Sequence, residues 1–416
     1  EKQRKVPPEH VAESARCAAH AHPAWVRARK DNDFGHFAPH LKRNVELSKK
    51  LAEYMGYDKH PYDALSDRTE PGLTTEQLDR LFGELKAAIV PLVKQIAANR
   101  DAVDDRCLFG DFDPEKQLEF THQLTARLGY DYQRGRQDLS PHPFSVAFGP
   151  GDVRITTRVR RDWLPYCLFS SIHECGHALY NQGISRDLDR TPLWGGSSPG
   201  IHESQSRLWE NLVGRSLPFW KHFFPELARR FPSLKKADAE AFFKAVNKVQ
   251  PSLIRTEADE VTYNLHVVVR YELENELLED RLRVEDLPEA WNARMKAYLG
   301  VAPPNDTEGC LQDIHWSGSA FGGFHGYTLG NVAGAQLMEK IRRDLPDLDR
   351  QVEAGEFQTL LGWLRDNVYR HGRKFTPNEL LERVTGRPLV AGPWIAYVRG
   401  KFSALYGLKE AAARPL

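Results

Sequence analysis

The chain has 416 residues, 41% of them hydrophobic and 27% charged, which is enough apolar material to bury a large core in water. Lys plus Arg and Asp plus Glu each number 57, so no net field draws the chain to nucleic acid or to an anionic membrane. The two signs are interleaved, and no Walker-type glycine loop is present to argue for a nucleotide.

Five cysteines, Cys17, Cys107, Cys167, Cys175 and Cys310, are scattered without a C-x-x-C pair. That argues against a disulfide framework or a cysteine zinc site and for a reducing compartment. No run of about 18 apolar residues is available to cross a bilayer, and no secretory pattern opens the chain, so a cytoplasmic protein is expected. The chain begins on Glu1 and a basic "EKQRK" rather than on methionine, which leaves open a native N-terminal segment ahead of it.

In chain order, most of the sequence reads as helix. In "TTEQLDRLFGELKAAIVPLVKQIAANR" the apolar positions Leu78, Leu81, Phe82, Leu85, Ile89, Leu92, Val93 and Ile96 recur at three and four. Thr74 and Gln77 supply a capping-box start, and Pro91 is expected to kink the interior. The pattern then changes: "FSVAFGPGDVRITTRV" (144 to 159) alternates β-prone residues around a "GPGD" turn and predicts a β-hairpin. Such an edge beside a zinc site can pair with an extended peptide, or the small sheet can simply cap a helical body.

The stretch "SIHECGHALY" follows. Residues four apart on an α-helix share a face, so His173 and His177 project together and can hold Zn²⁺, with Glu174 beside them to accept a proton from water. Leu164, Leu168, Ile172 and Leu179 mark the helix as buried. With 16 histidines in the chain, an H-E-x-x-H arises by chance in roughly a few per cent of such sequences, so a pair of core histidines stays open at this point. A catalytic zinc needs a third protein ligand and one open position. Glu203 opens a predicted helix in "GIHESQSRLWENLVG", where it shares a face with Glu210. Glu203 is the expected third ligand, with Glu210 held in reserve as a ligand or as a partner of one. Cys175 faces away and is read as core.

"LIRTEADEVTYNLHVVVRYELENELLEDRL" predicts one long amphipathic helix, on which Arg255 is held by Asp259 through an i,i+4 pair. An arginine fixed in that way can grip a peptide's terminal carboxylate bidentately, or the two residues simply form an exposed ion pair. "GCLQDIHWSGSAFGGFHGYTLGN" combines Gln312, Asp313, His315 and Trp316 with a run of glycines before Tyr327 and Gly330. His315 or Tyr327 can donate to an oxyanion, or the stretch is a structural turn around a buried tryptophan. "TPNELLERVTGRP" closes the series, with Thr376 as N-cap, Pro377 in the first turn, Glu379 completing the box and Gly386 ending the helix. No repeat or long linker appears, so a single helical domain over 1–416 is expected.

"HPF" (142 to 144), "DVRIT" (152 to 156), "HECGH", "HESQ" (202 to 205), "IRTEAD" and "GCLQDIHW" occur in this order, and the chain thereby resembles the carboxypeptidase Taq family of zinc metallocarboxypeptidases over nearly its whole length. The resemblance implies a mainly α fold: a large helical body with a deep substrate groove and a small β-hairpin or sheet beside the metal. It implies a homodimer that cuts single residues from peptides with a free C-terminus, using one Zn²⁺ per chain, for which Co²⁺ or another divalent metal can substitute. By position, His173, His177 and Glu203 match the metal ligands, Glu174 the catalytic base, and Arg255 the arginine of the I-R-x-x-A-D motif that contacts the terminal carboxylate. Arg154 and Gln312 join the substrate-binding candidates, and His315 and Tyr327 the catalytic ones. Two departures stand out: the family's further N-terminal helical region is not in the sequence, and the loop reads "FGGFHGY" where the family pattern is "FGYFPTY". An oligopeptidase or dipeptidase on the same metal core is the near alternative; a helical scaffold with an inert histidine pair is the distant one.

Overall fold

The computed structural model describes residues 2–318 and 320–408. Helix α1 spans Pro8–Asp31, α2 Phe34–Met55, α3 Pro61–Ser66, α4 Thr75–Ala98 and α5 Pro114–Leu128; the strands β1 (Gln137–Leu139), β2 (Ser145–Gly149) and β3 (Asp152–Thr157) come next. Then follow α6 (Pro165–Gly183), α7 (Pro199–Arg207), α8 (Leu217–Arg230), α9 (Ala239–Val246), α10 (Tyr263–Leu278) and α11 (Leu287–Leu299). The chain closes with α12 (His325–Asp344), α13 (Leu348–Ala354), α14 (Gln358–Asn367), α15 (Pro377–Thr385) and α16 (Gly392–Tyr406). The fold is mainly α with one small sheet, as the sequence leads one to expect. No helix among the described residues is long and apolar enough to cross a membrane.

The chain divides into two compact units, Glu1–Ala98 with Val249–Thr328, and Asn99–Lys248 with Leu329–Leu416. In the first unit α1 packs along α2, while α10 lies among α2, α3, α4 and α11. Leu265, Val267, Val268, Val269 and Leu273 of α10 are all inaccessible; a helix buried on every side shows no amphipathic stripe. α4 begins with the expected capping box, Gln77 donating its N–H to Thr74 and accepting the Thr74 N–H in return, and it runs unbroken through Pro91.

The long helix expected from Ile254 onward is corrected by the structure. Residues Arg255–Glu257 form a single 3₁₀ turn, Ala258 is extended, and α10 starts only at Tyr263. The cause is Asp259, whose carboxylate accepts the N–H groups of Gln250, Val261 and Thr262 and the Thr262 hydroxyl. A short acceptor side chain that satisfies the backbone ahead of a helix competes with helix formation at its own position. Asp259 is therefore unavailable to Arg255.

In the second unit the predicted hairpin is present, β2 pairing antiparallel with β3 through Ser145↔Ile155 and Val146↔Arg154. β1 adds in parallel on the other side of β3, giving the order β1-β3-β2 and leaving β2 as an edge strand. The sheet packs against α6: Thr157 of β3 shares hydroxyl hydrogen bonds with Ser170 and Ser171 at 2.8 and 2.9 Å. α6 is the core helix of this unit, with Cys167, Leu168, Ile172, Cys175, Ala178 and Leu179 fully buried. Cys175 is core, as read from its position. α15 carries its complete Thr376–Glu379 box, and Gly386 closes it in the left-handed conformation.

Candidate functional site

α6 puts Pro165 in its first turn, where a missing N–H leaves no intrahelical bond unmade. Two turns later His173 and His177 face the same way, their ring centroids 4.9 Å apart. α7 is started by Ser198, whose hydroxyl accepts the Ile201 N–H at 3.0 Å, with Pro199 behind it. Glu203 thus sits in the middle of α7 rather than at its start. Gly176 lets α6 and α7 approach: a Cβ there would lie 2.7 Å from the Gln205 carbonyl oxygen and from the Ser206 Cα. Gly330, in the part of α12 that belongs to this unit, backs Glu203 in the same way, since a Cβ would fall 2.5 Å from the Glu203 Cγ.

These helices bring His173, His177 and Glu203 together, with one ligand atom of each within 4.8 Å of the others. The Glu203 Oε2 lies 3.7 Å from His173 Nε2 and 3.5 Å from His177 Nε2. A tetrahedral ion with bonds of about 2.0–2.2 Å spaces its ligands by roughly 3.3–3.6 Å, so the three side chains fit a small divalent cation such as zinc. The far side of each ligand is also fixed. His173 Nδ1 donates to Glu210 Oε2 at 2.9 Å, which leaves its Nε2 lone pair toward the site. His177 Nδ1 meets His202 Nδ1 at 2.6 Å, and His202 Nε2 lies 3.3 Å from Asn181 Oδ1. With His202 donating to Asn181 and accepting from His177, the His177 Nε2 is likewise a free donor to a metal. Burial, and then the His177 ring, push His202 down to about 3, so it stays the neutral acceptor that this chain of bonds needs.

Arg207 and Arg215 complete the surroundings. Arg207 Nε donates to Glu203 Oε1 at 2.7 Å and its Nη1 to Glu210 Oε2 at 3.2 Å; Arg215 donates to Glu210 Oε1 at 3.3 Å. Burial raises both carboxyls, but Arg207 and the imidazoles outweigh it, holding Glu203 well below the usual carboxylate range and Glu210 at about 2. Glu210 lies in a π-helical segment, Leu208–Val213, that continues from α7. A wider turn, of the kind found often at functional sites, turns Glu210 to His173 instead of directly to the metal position. Glu174 is 7% exposed and borders His173 electrostatically. Arg154 stands on β3 in a bidentate pair with Asp152, both bonds 2.8 Å, with its side chain 47% exposed.

The first unit holds the remaining candidates. Arg255 is 5% exposed and is gripped by Asp313, not Asp259: its Nε and Nη2 reach Asp313 Oδ1 at 3.3 and 2.9 Å, and its Nη1 donates to the Tyr263 hydroxyl at 3.0 Å. Arg270 of α10 also donates to Asp313. Burial pushes Asp313 up, but the two guanidiniums outweigh it and hold this carboxyl far below its ordinary range. Gln312 is engaged at both polar atoms, accepting from the Arg255 N–H and from Arg270 and donating to the Leu253 and Glu308 carbonyls. His315 Nε2 lies 3.3 Å from the Tyr327 hydroxyl, and burial keeps the ring neutral, down to about 4. The Arg255 guanidinium stands 4.9 Å from the Tyr327 ring centroid.

His202, Arg207, Arg215 and Arg270 were not found from the sequence. "HESQSR" displays the first two beside Glu203, but a role played through another side chain leaves no spacing rule to read.

The comparisons with known proteins bear on the whole chain. A family model described as carboxypeptidase Taq (M32) metallopeptidase matches residues 1–402. Carboxypeptidase 1 of Bacillus subtilis is 42% identical over 98% of this chain and 81% of its own length; thermostable carboxypeptidase 1 of Thermus thermophilus is 44% identical over 98% and 82%. The crystal structure of the M32 carboxypeptidase from Deinococcus radiodurans superposes with a TM-score of 0.95 at 46% identity, covering 97% of this chain and 81% of that one. Two histidines one helical turn apart, a glutamate from the next helix and a match over nearly the full length converge, and the chain belongs to the carboxypeptidase Taq (M32) family of metallopeptidases.

Proposed function

We propose that this metallocarboxypeptidase releases single residues from peptides with a free C-terminus, with Zn²⁺ held by His173, His177 and Glu203 and with Glu174 as general base. The reading rests above all on the metal-sized gap among three side chains whose outer atoms are already hydrogen-bonded. When bound, the cation supplies a Lewis acid that polarises the scissile carbonyl and acidifies water. Co²⁺ or another divalent ion of similar size fits the same donor set.

The chain's own residues do the rest. Glu174 takes the proton of the attacking water and delivers it to the leaving amine. Arg255, kept charged and rigid by Asp313, offers its guanidinium to the terminal carboxylate. Gln312, whose polar atoms are spent on Arg255, Arg270 and loop carbonyls, serves by holding Arg255 in place, and Arg154 is a further substrate-binding candidate. His315 or Tyr327 donates to the oxyanion. The edge strand β2 gives an extended peptide a backbone to pair with. The family resemblance supports a homodimer, and five free cysteines suit a cytoplasmic location.

Glu174→Gln should leave metal content unchanged and lower kcat by about three orders of magnitude or more. Elemental analysis with an assay on a free-acid peptide checks this, and near wild-type turnover in the variant refutes the assigned base. The same peptide amidated at its C-terminus should resist cleavage. Release of internal fragments from the amide would favour an oligopeptidase instead.

A further inference from the structure

One buried acid in the first unit takes no part in the chemistry above. Glu274, on α10, is completely inaccessible. Its two oxygens accept two donors from one loop: Oε1 takes the Trp316 indole N–H at 2.9 Å, and Oε2 the Gly322 backbone N–H at 3.3 Å. Both donors lie within the glycine-rich stretch that contains His315. Burial raises the Glu274 carboxyl to about 7, and Trp316, Gly322, Tyr62 and Arg270 pull in the other direction.

The loop is held from a second side by α3. Gly322 adopts φ +79°, and a Cβ at this position would lie 2.5 Å from the Leu65 Cβ and 3.1 Å from the Ser66 nitrogen, so the loop backbone rests directly on the end of α3. Tyr62 of α3 is buried, faces Glu274, and shares a 3.1 Å hydrogen bond with Nδ1 of His325. His325 is itself inaccessible, its Nε2 without a partner among the described residues. Between the two anchors lies Phe324, whose ring centroid is 4.4 Å from that of His315, with the Arg255 and Arg270 guanidiniums 5.7 and 5.6 Å from it.

We propose that Glu274 is a positioning residue for catalysis: by tying Trp316 and Gly322 to α10 it fixes the loop so that His315, Phe324 and Tyr327 hold one arrangement around Arg255. This rests on the roles proposed above for His315, Tyr327 and Arg255. Two N–H donors from separate points of a loop, converging on one carboxylate, restrict it far more than either alone, because each bond lowers the entropy cost of making the other. A glutamine keeps the shape but has one acceptor oxygen, and its NH₂ would confront an N–H.

The test is Glu274→Gln in the full chain loaded with its metal. Expected are loop amides from 315 to 325 that exchange with deuterium at least about tenfold faster, a kcat lowered by about tenfold, KM within about twofold, and unchanged metal content. Trp316→Phe, which removes one donor and leaves the acid in place, should give the same pattern more weakly and carries the test if Glu274→Gln does not fold. Unchanged exchange in the loop, or accelerated exchange with unchanged kcat, overturns the inference. A wild-type protein that binds metal yet releases no C-terminal residue would instead overturn the proposed function, and the exchange measurement would still report whether Glu274 fixes the loop.

Discussion

Glu274 also gives the protein a pH signature that belongs to a single residue. Its folded carboxyl titrates near 7, against an ordinary value of 4.5; the folded state therefore binds a proton that the unfolded chain has already released. The stability this brings is fully present below about pH 4.5 and is lost as the pH rises toward 7 and beyond. Arg270 and Tyr62, which face the acid, moderate the shift without reversing it. Between pH 5 and pH 8, wild type should lose on the order of 2–3 kcal/mol relative to Glu274→Gln, read from urea midpoints of the two proteins. Parallel pH dependences would refute the assignment. At this scale the cluster of His173, His177 and Glu203 was legible and its supports were not. His173 and His177 announce themselves by spacing, and Glu203 by lying in the next helical stretch. Asp313 was visible as a motif residue, but the i,i+4 rule gave Arg255 the wrong partner. That rule holds only inside a helix, and Asp259 itself prevents one from forming there.

At the scale of elements, the metal centre depends on how closely α6 and α7 can pack. Gly176 has main-chain atoms of Gln205 and Ser206 where its Cβ would be, and main chain cannot rotate out of the way as a side-chain tip can. Gly176→Ala should therefore destabilise by about 1–3 kcal/mol and weaken metal binding by at least about tenfold, because α7 carries Glu203 away with it. Thermal unfolding with a chelator competition titration measures both, and wild-type metal affinity in this variant would show that the helices can yield. Helix ends with complete caps were readable: α4 and α15 start where their boxes lie, and the hairpin turns at its "GPGD". β1 was not, since three residues pairing in parallel with a distant strand leave no local period. The π-helical stretch after α7 escaped for a similar reason, as its apolar residues fit an α-helix equally well.

For the molecule as a whole, the three proposed metal ligands all lie in one of the two compact units. A ligand that binds only the folded form raises stability by an amount set by its concentration over its Kd, about 2.7 kcal/mol at a hundredfold excess. Removing the metal should accordingly lower protection from hydrogen exchange in α6 and α7 while leaving α10 in the other unit close to its original level. Peptide-resolved exchange on holo and chelated protein would show this, and an equal loss in α10 would mean that the metal's stabilisation is shared throughout the chain. The fold class was legible because the helical pattern fills the sequence. The grouping of residues 1–98 with 249–328 was not, because it rests on contacts between segments far apart in the chain, and local periodicity carries nothing about them.

The wide turn at Leu208–Val213 has a consequence for how the sequence can change. Its closing bond runs from the Gly214 N–H back five residues to the Trp209 carbonyl, at 2.8 Å, so the turn holds one residue more than a regular helix would. Deleting one residue there would restore ordinary α-helical hydrogen bonding and improve the helix as a helix. Taken from Leu208 or Trp209, the deletion would also move Glu210 back by one position, about 100° round the helix axis, and so undo the brace behind His173, while the chain beyond the turn, having lost only the extra residue, keeps its place. Substitutions in this segment can be absorbed one at a time; a change of length cannot.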